Sequence, residues 1–128
     1  IKAPGHVEER LVQLIAVGDH YADTVIIGSD RDALVRVKSL DARIDVGWTA
    51  FEPSDENVKL ALDMGCHHIG IKPTSLTTEI VAQINARGLA VRSTCVQGVE
   101  QIKHAVDCGV MGMTIDSPVQ LVNYLANL

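Results

Sequence analysis

Short apolar runs alternate with polar links and amphipathic stretches five times along this chain of 128 residues. The runs fall at 24–28, 44–48, 67–71, 90–94 and 111–115. Their starts recur roughly every 20 to 23 residues, the length of a strand of about five residues, a helix of about twelve and two tight connections. Thr24-Val-Ile-Ile-Gly28 is apolar almost throughout, as a strand covered on both faces tends to be. Between the runs, apolar residues return at helical spacing: Leu11, Leu14 and Ile15 with Val7; Leu34, Val37 and Leu40; Val99, Ile102, Ala105 and Val106; Val119, Val122 and Leu125. The first helix is expected from His6 or Val7 to His20, entered through Pro4-Gly5, with Glu8 and Glu9 favouring its positive end.

Helix boundaries are marked by local chemistry. Asp63-Met-Gly65, Ala86-Arg-Gly88 and Asp107-Cys-Gly109 each place a glycine where a helix closes on a left-handed residue. Ser29-Asp30 and Ser54-Asp55 read as helix starts, and Pro118 sits in a first turn, where its missing N–H costs nothing.

Sequential βα units with right-handed crossovers build a parallel sheet, and eight of them close a barrel. The fold expected is therefore α/β: a partial (β/α)8 TIM barrel of five complete sequential βα units, with residues 1–128 as a single domain. A full barrel runs to about 250 residues, and Ile1-Lys2 reads as the tail of a further strand. The chain is thus expected to be the C-terminal portion of a barrel that lacks its first strands. Its open edges would be covered by a missing N-terminal half or by self-association. Val25, Ile27, Val46, Ile69 and Val91, or their neighbours, are expected to form an apolar inner face.

A net charge of −5 and four aromatic residues argue against a nucleic-acid surface or a base-stacking platform. No apolar run approaches the roughly 18 residues of a membrane span. Cys66, Cys95 and Cys108 have no metal-ligand spacing and are odd in number, so idle thiols in a reducing cytoplasm are the plain expectation. His67 and His68 are adjacent on a strand, point to opposite faces and cannot jointly clasp one ion.

The run Gly88-Leu-Ala-Val-Arg-Ser-Thr-Cys-Val-Gln97, followed by Gly109-Val-Met-Gly-Met-Thr-Ile-Asp-Ser-Pro118, resembles the closing strands of the glycerophosphodiester phosphodiesterases. That family carries "G-L-x-V-x-x-W-T-V-N" and "G-V-D-G-I-I-T-D-x-P" there. Ile1-Lys2 resembles its "E-I-K" strand, and Thr24–Ser29 its "v-i-i-S-S-F" strand. The order and spacing of these segments are more specific than any one of them.

The resemblance implies metal-dependent hydrolysis of glycerophosphodiesters to an alcohol and glycerol phosphate. It implies a divalent metal, Mg2+ or Ca2+, held by carboxylates, with two histidines as acid and base. The family's "H-R-G", "E-x-D" and "H-D" are absent, and the glutamate of "E-x-K" would precede Ile1, so the metal ligands are not in this chain. Only Lys2 carries over as a catalytic residue, a cation facing phosphate charge. Gln97 stands for the Asn of "W-T-V-N", Met111 for the Asp of "V-D-G" and Ile115 for the Thr of "T-D"; Asp116 matches the final Asp and also suits a helix N-cap.

Barrel chemistry sits at the C-terminal ends of the strands, and the ends expected to face the barrel mouth are Ser29, Trp48 with Thr49, Lys72, Thr94 to Gln97, and Asp116. Ser29, Trp48, Lys72, Gln97 and Asp116 are the substrate-binding candidates on that ground. Lys72 follows a strand end where a cation meets a phosphate, although a solvated loop lysine before Pro73 fits equally well. The indole of Trp48 suits either a pocket wall or packing under the next loop. The partner expected is a small-molecule phosphodiester, with this chain alone inactive. A non-catalytic half-barrel for binding or assembly is the alternative; a sugar-phosphate isomerase or synthase would need a glycine-rich phosphate loop that is missing.

Overall fold

A computed structural model of the chain describes residues 7–128. Five parallel strands lie side by side in chain order, curled into a half-barrel with helices packed along one face. The elements alternate: α1 (Glu8–Gly18), β1 (Val25–Gly28), α2 (Arg31–Leu40), β2 (Asp45–Phe51), α3 (Asp55–Asp63), β3 (His68–Ile71), α4 (Thr78–Ala86), β4 (Ala90–Val96), α5 (Gly98–Asp107), β5 (Gly112–Ile115) and α6 (Pro118–Leu125). A 3-10 turn, Pro73–Ser75, is inserted between β3 and α4. Pro4, Gly5 and His6 of the expected helix entry, and Lys2, lie outside the described residues.

The punctuation holds. Helices α3, α4 and α5 end at Asp63, Ala86 and Asp107, and Gly65, Gly88 and Gly109 follow two residues later with φ of +71, +90 and +80. Asp30, Ser54 and Thr77 cap α2, α3 and α4, each side chain accepting from a backbone N–H three residues on.

The core lies between the sheet and the helices. Val46, Ile69 and Val91 are 0–1% exposed and pack there with Leu34, Val37 and Ile84. Because strand neighbours point to opposite faces, these three belong to the helix side and it is their neighbours that take the inner face, alongside Ile27. The inner face carries the alternate residues, in register rows Ile27–Gly47–His68–Ala90 and Thr49–Gly70–Arg92–Gly112. It is polar and glycine-rich. A Cβ on Gly47 would lie 2.9 Å from Ile27 Cγ2 and 3.1 Å from His68 Cβ, so only glycine fits that row undisturbed.

Several helical apolar residues are more exposed than their spacing suggested. Leu14, Leu40 and Val99 are exposed, and α6 buries none of its residues, Val119, Val122 and Leu125 included. Among the described residues the sheet ends at β5, so α6 packs chiefly on α5, with no described strand beyond to cover its apolar stripe.

Candidate functional site

Two strands overrun their expected ends by passing through bulges. The β2–β3 register slips between Thr49 and Phe51, and the β4–β5 register slips between Ser93 and Val96. Each slip contains a non-glycine residue in the left-handed region: Phe51 at φ +68 and Cys95 at φ +57. Bulges of this kind bend a strand and re-aim its side chains. Backbone held in a sparsely populated region costs of order 1–3 kcal/mol and clusters at binding and catalytic sites.

Both residues line a cavity of about 410 Å3 at the C-terminal ends of the strands. Its walls come from β1 (Ile27, Gly28), β2 (Thr49), β4 (Thr94) and β5 (Thr114), with Ser29, Gln97 and Asp116 in the links that follow. Four hydroxyl-bearing residues, Ser29, Thr49, Thr94 and Thr114, belong to its lining, beside the apolar Ile27, Phe51 and Val96. That donor set suits an oxygen-rich ligand, with the Asp116 carboxylate as an acceptor for ligand hydroxyls.

Three of the five substrate-binding candidates, Ser29, Gln97 and Asp116, converge on this cavity. Asp116 does so instead of capping α6, because Ser117 takes the cap position and makes no side-chain cap bond. Trp48 and Lys72 are not among the lining residues, for different reasons. Trp48 faces the helix side, 8% exposed, where its indole N–H donates to the Ser29 carbonyl at 3.2 Å and the Arg31 guanidinium lies 5.9 Å from its ring centroid. It holds the end of β1 in place from behind the wall.

Lys72 is engaged at the rim. Its Nζ donates to Glu52 Oε1 at 3.0 Å and stands 5.8 Å from the Phe51 ring centroid. Ser75 Oγ donates to Glu52 Oε2 at 2.6 Å. The Ser75 and Lys72 bonds hold the Glu52 carboxyl below its ordinary pKa, and the network braces the loop behind Phe51.

Thr49, Thr94 and Cys95 line the cavity at the strand ends expected to face the barrel mouth, whereas Phe51 and Thr114 were missed. No pattern announces a left-handed Phe or Cys. Among the described residues, no group of three or more His, Cys, Asp or Glu side chains is gathered to hold a metal ion. The donor set of the cavity is hydroxyl-rich and does not fit a divalent cation without carboxylates from elsewhere. No described helix is long and apolar enough to cross a membrane.

No family model matches the chain, and no curated protein is similar to it in sequence. Solved structures are similar in fold, and glycerophosphodiester phosphodiesterases recur among them. A protein of Galdieria sulphuraria described as a glycerophosphodiester phosphodiesterase superposes on 98% of this chain with a TM-score of 0.84 and 18% identity, over 53% of its own length. An Oleispira antarctica phosphodiesterase in complex with the product sn-glycerol-3-phosphate covers 94% of this chain at TM-score 0.77 and 17% identity, over 51% of its own length. The N-acetylmannosamine-6-phosphate 2-epimerase of Clostridium perfringens matches 98% of this chain at a lower TM-score, 0.65, with 13% identity, over 67% of its own length. The chain spans about half the length of the phosphodiesterases it matches. Its fold is that of a partial (β/α)8 barrel.

Proposed function

We propose that this chain is part of a glycerophosphodiester phosphodiesterase-like hydrolase, in which the cavity at the strand ends receives the glycerol phosphate portion of the substrate. Two similarities support the reading: the strand motifs resemble this family in sequence, and the chain superposes over nearly its whole length on solved structures described as members of it. The closing motif of β4 and the link after β5 supply Gln97 and Asp116 to one cavity. Ser29, Gln97 and Asp116 furnish a wall that orients hydroxyls and ester oxygens. A divalent metal would supply Lewis-acid activation of the phosphodiester, and the described residues furnish no ligand set for it. Lys2 keeps its role as the transition-state cation.

A non-catalytic half-barrel is the competing reading, favoured by the changed strand-end motifs, with Gln97, Met111 and Ile115 at positions where the family pattern has Asn, Asp and Thr. The purified chain, incubated with glycerophosphocholine and Mg2+ or Ca2+, is expected to bind sn-glycerol 3-phosphate without appreciable hydrolysis, since losing interdependent catalytic groups costs several orders of magnitude. Supplying the metal carboxylates and both histidines on complementing barrel strands should then restore chelator-sensitive turnover. Binding without restored turnover supports the module instead. Preference for a hexose 6-phosphate over glycerol 3-phosphate refutes the glycerol-based substrate class.

A further inference from the structure

The middle of the inner face holds a further cation, Arg92. Arg92 stands on β4 between Val91 and Ser93, both buried on the helix side, so its side chain rises from the opposite, open face. It is half-buried, and among the described residues it makes no hydrogen bond or ion pair. Asp45, on the same face but at the start of β2 and two strands away, lies 3.4 Å from His67.

Its neighbours in register are Gly70 on β3 and Gly112 on β5, so no side chain flanks it on either side. A Cβ on Gly112 would meet nothing within 4 Å. A Cβ on Gly70 would meet Thr49 at 3.3 Å, so the open space beside Arg92 lies on the β5 side. Two residues further along the same strand, Thr94 lines the cavity at the barrel mouth. That is about 6.6 Å at the rise of a strand, within the span of an extended arginine. Beside it on β3, His68 is driven toward its neutral form, by burial first and by the Arg92 charge second, so the positive charge on this face is concentrated on Arg92.

We propose that Arg92 is the phosphate-binding residue of this cavity, its guanidinium rising from the inner face to grip an anion whose remaining oxygens are held by the Thr94 and Thr114 hydroxyls. A planar fork of donors matches two phosphate oxygens at once, which an ammonium does not. An unpaired, half-covered guanidinium is costly unless a ligand completes it. Lys72, the cation that strand-end position favours, is already satisfied by Glu52. The inference deepens the phosphodiesterase reading by naming the group that holds the phosphate, and it also stands if the organic part of the ligand is different.

Calorimetric titration of the 128-residue chain with inorganic phosphate, sn-glycerol 3-phosphate and glycerophosphocholine tests it. Arg92→Gln should weaken binding of sn-glycerol 3-phosphate at least about ten-fold, the loss of a charge-assisted pair. Arg92→Lys should recover part of that loss, and Lys72→Gln should bind as the parent does. Circular dichroism on each variant excludes unfolding as the cause. Equal binding by the parent and Arg92→Gln overturns the proposal, as does a parent chain that binds none of the three probes. Arg92-dependent binding of inorganic phosphate with no preference for the glycerol ligands leaves Arg92 in place and overturns the glycerol-based reading. Arg92-independent binding of glycerophosphocholine does the reverse.

Discussion

The guanidinium of Arg43 lies over the ring of Tyr21, 4.2 Å from its centroid, and donates to its hydroxyl at 2.5 Å. Tyr21 in turn donates to Asp41 Oδ2 at 2.8 Å, and Arg43 reaches both oxygens of the same carboxylate. Tyr21 belongs to the link between α1 and β1; Asp41 and Arg43 belong to the link between α2 and β2. The three side chains therefore tie the edge unit of the sheet to its neighbour at the end opposite the cavity.

That cluster predicts how stability varies with pH. The Arg43 side-chain bonds, then its backbone N–H, then Tyr21 hold the Asp41 carboxyl far below the ordinary range. A depressed folded pKa contributes stability above the unfolded value, near 3.9, and that contribution is lost as pH falls. The hydrogen bond to Asp41 is the main cause raising the Tyr21 pKa, so its contribution is present below about pH 10 and is lost as pH rises beyond. Asp41→Asn should lower the melting temperature near neutrality and flatten its decline below about pH 4. A variant whose melting curve follows the parent across that acid range would refute the clamp.

Two glycine substitutions separate conformation from space. Gly88 stands at φ +90 with nothing within 4 Å of a Cβ, so Gly88→Ala should cost only the left-handed strain, about 1–2 kcal/mol. Gly47 is closed in by Ile27 and His68, so Gly47→Ala must push one of them aside and cost about 1–3 kcal/mol as overpacking. Denaturant melts of Ile27→Ala combined with Gly47→Ala decide the cause. The double variant should recover part of the Gly47→Ala loss, and simple additivity would refute the steric account.

How much of this was legible in the sequence depends on range. The helix stops were readable because a left-handed residue after a helix is a local demand that glycine meets. The strands were readable because their apolar runs repeat. Which face of a strand meets the helices is a question of tertiary placement; Asp45-Val-Gly-Trp-Thr49 alternates, yet a continuous apolar run such as β1 does not. Phe51 and Cys95 adopt left-handed backbone that their residue types disfavour, so the bulges shaping the cavity left no sequence trace. Ser29, Gln97 and Asp116 were found because they follow strand ends. Arg92 was passed over because it sits in mid-strand.

The thiols offer a test of the bulge. Cys95 is exposed on the cavity wall, whereas Cys66 and Cys108 are buried. Burial pushes the Cys66 thiol up to about 11 and raises Cys108 as well. A thiolate-specific reagent at mildly alkaline pH should therefore modify one cysteine quickly in the folded chain and all three after denaturation. Saturating phosphate or sn-glycerol 3-phosphate should slow the fast reaction, since Thr94 and Cys95 line the same cavity. Rapid labelling of Cys66 in the folded chain would refute the burial assigned to it.

The open sheet carries the last prediction. Within the described residues, β1 and β5 each have one strand partner, so each presents backbone donors and acceptors along a free edge. The apolar contribution to association comes from elsewhere than first expected, because Val46, Ile69 and Val91 are buried under the helices. What remains is Val25 at the β1 edge, with Val119, Val122 and Leu125 on α6 beside β5, all exposed. Burial of apolar surface contributes about 25 cal/mol per Å2, and edge pairing adds hydrogen bonds. Two copies of the 13.8 kDa chain meeting through these edges would leave the polar inner faces wet. Light scattering coupled to gel filtration at micromolar concentration should show a species larger than the monomer. Charged substitutions in α6, Val119→Lys with Val122→Glu, should shift it toward the monomer. A monodisperse monomer for the parent chain would mean that the edges are tolerated as they stand.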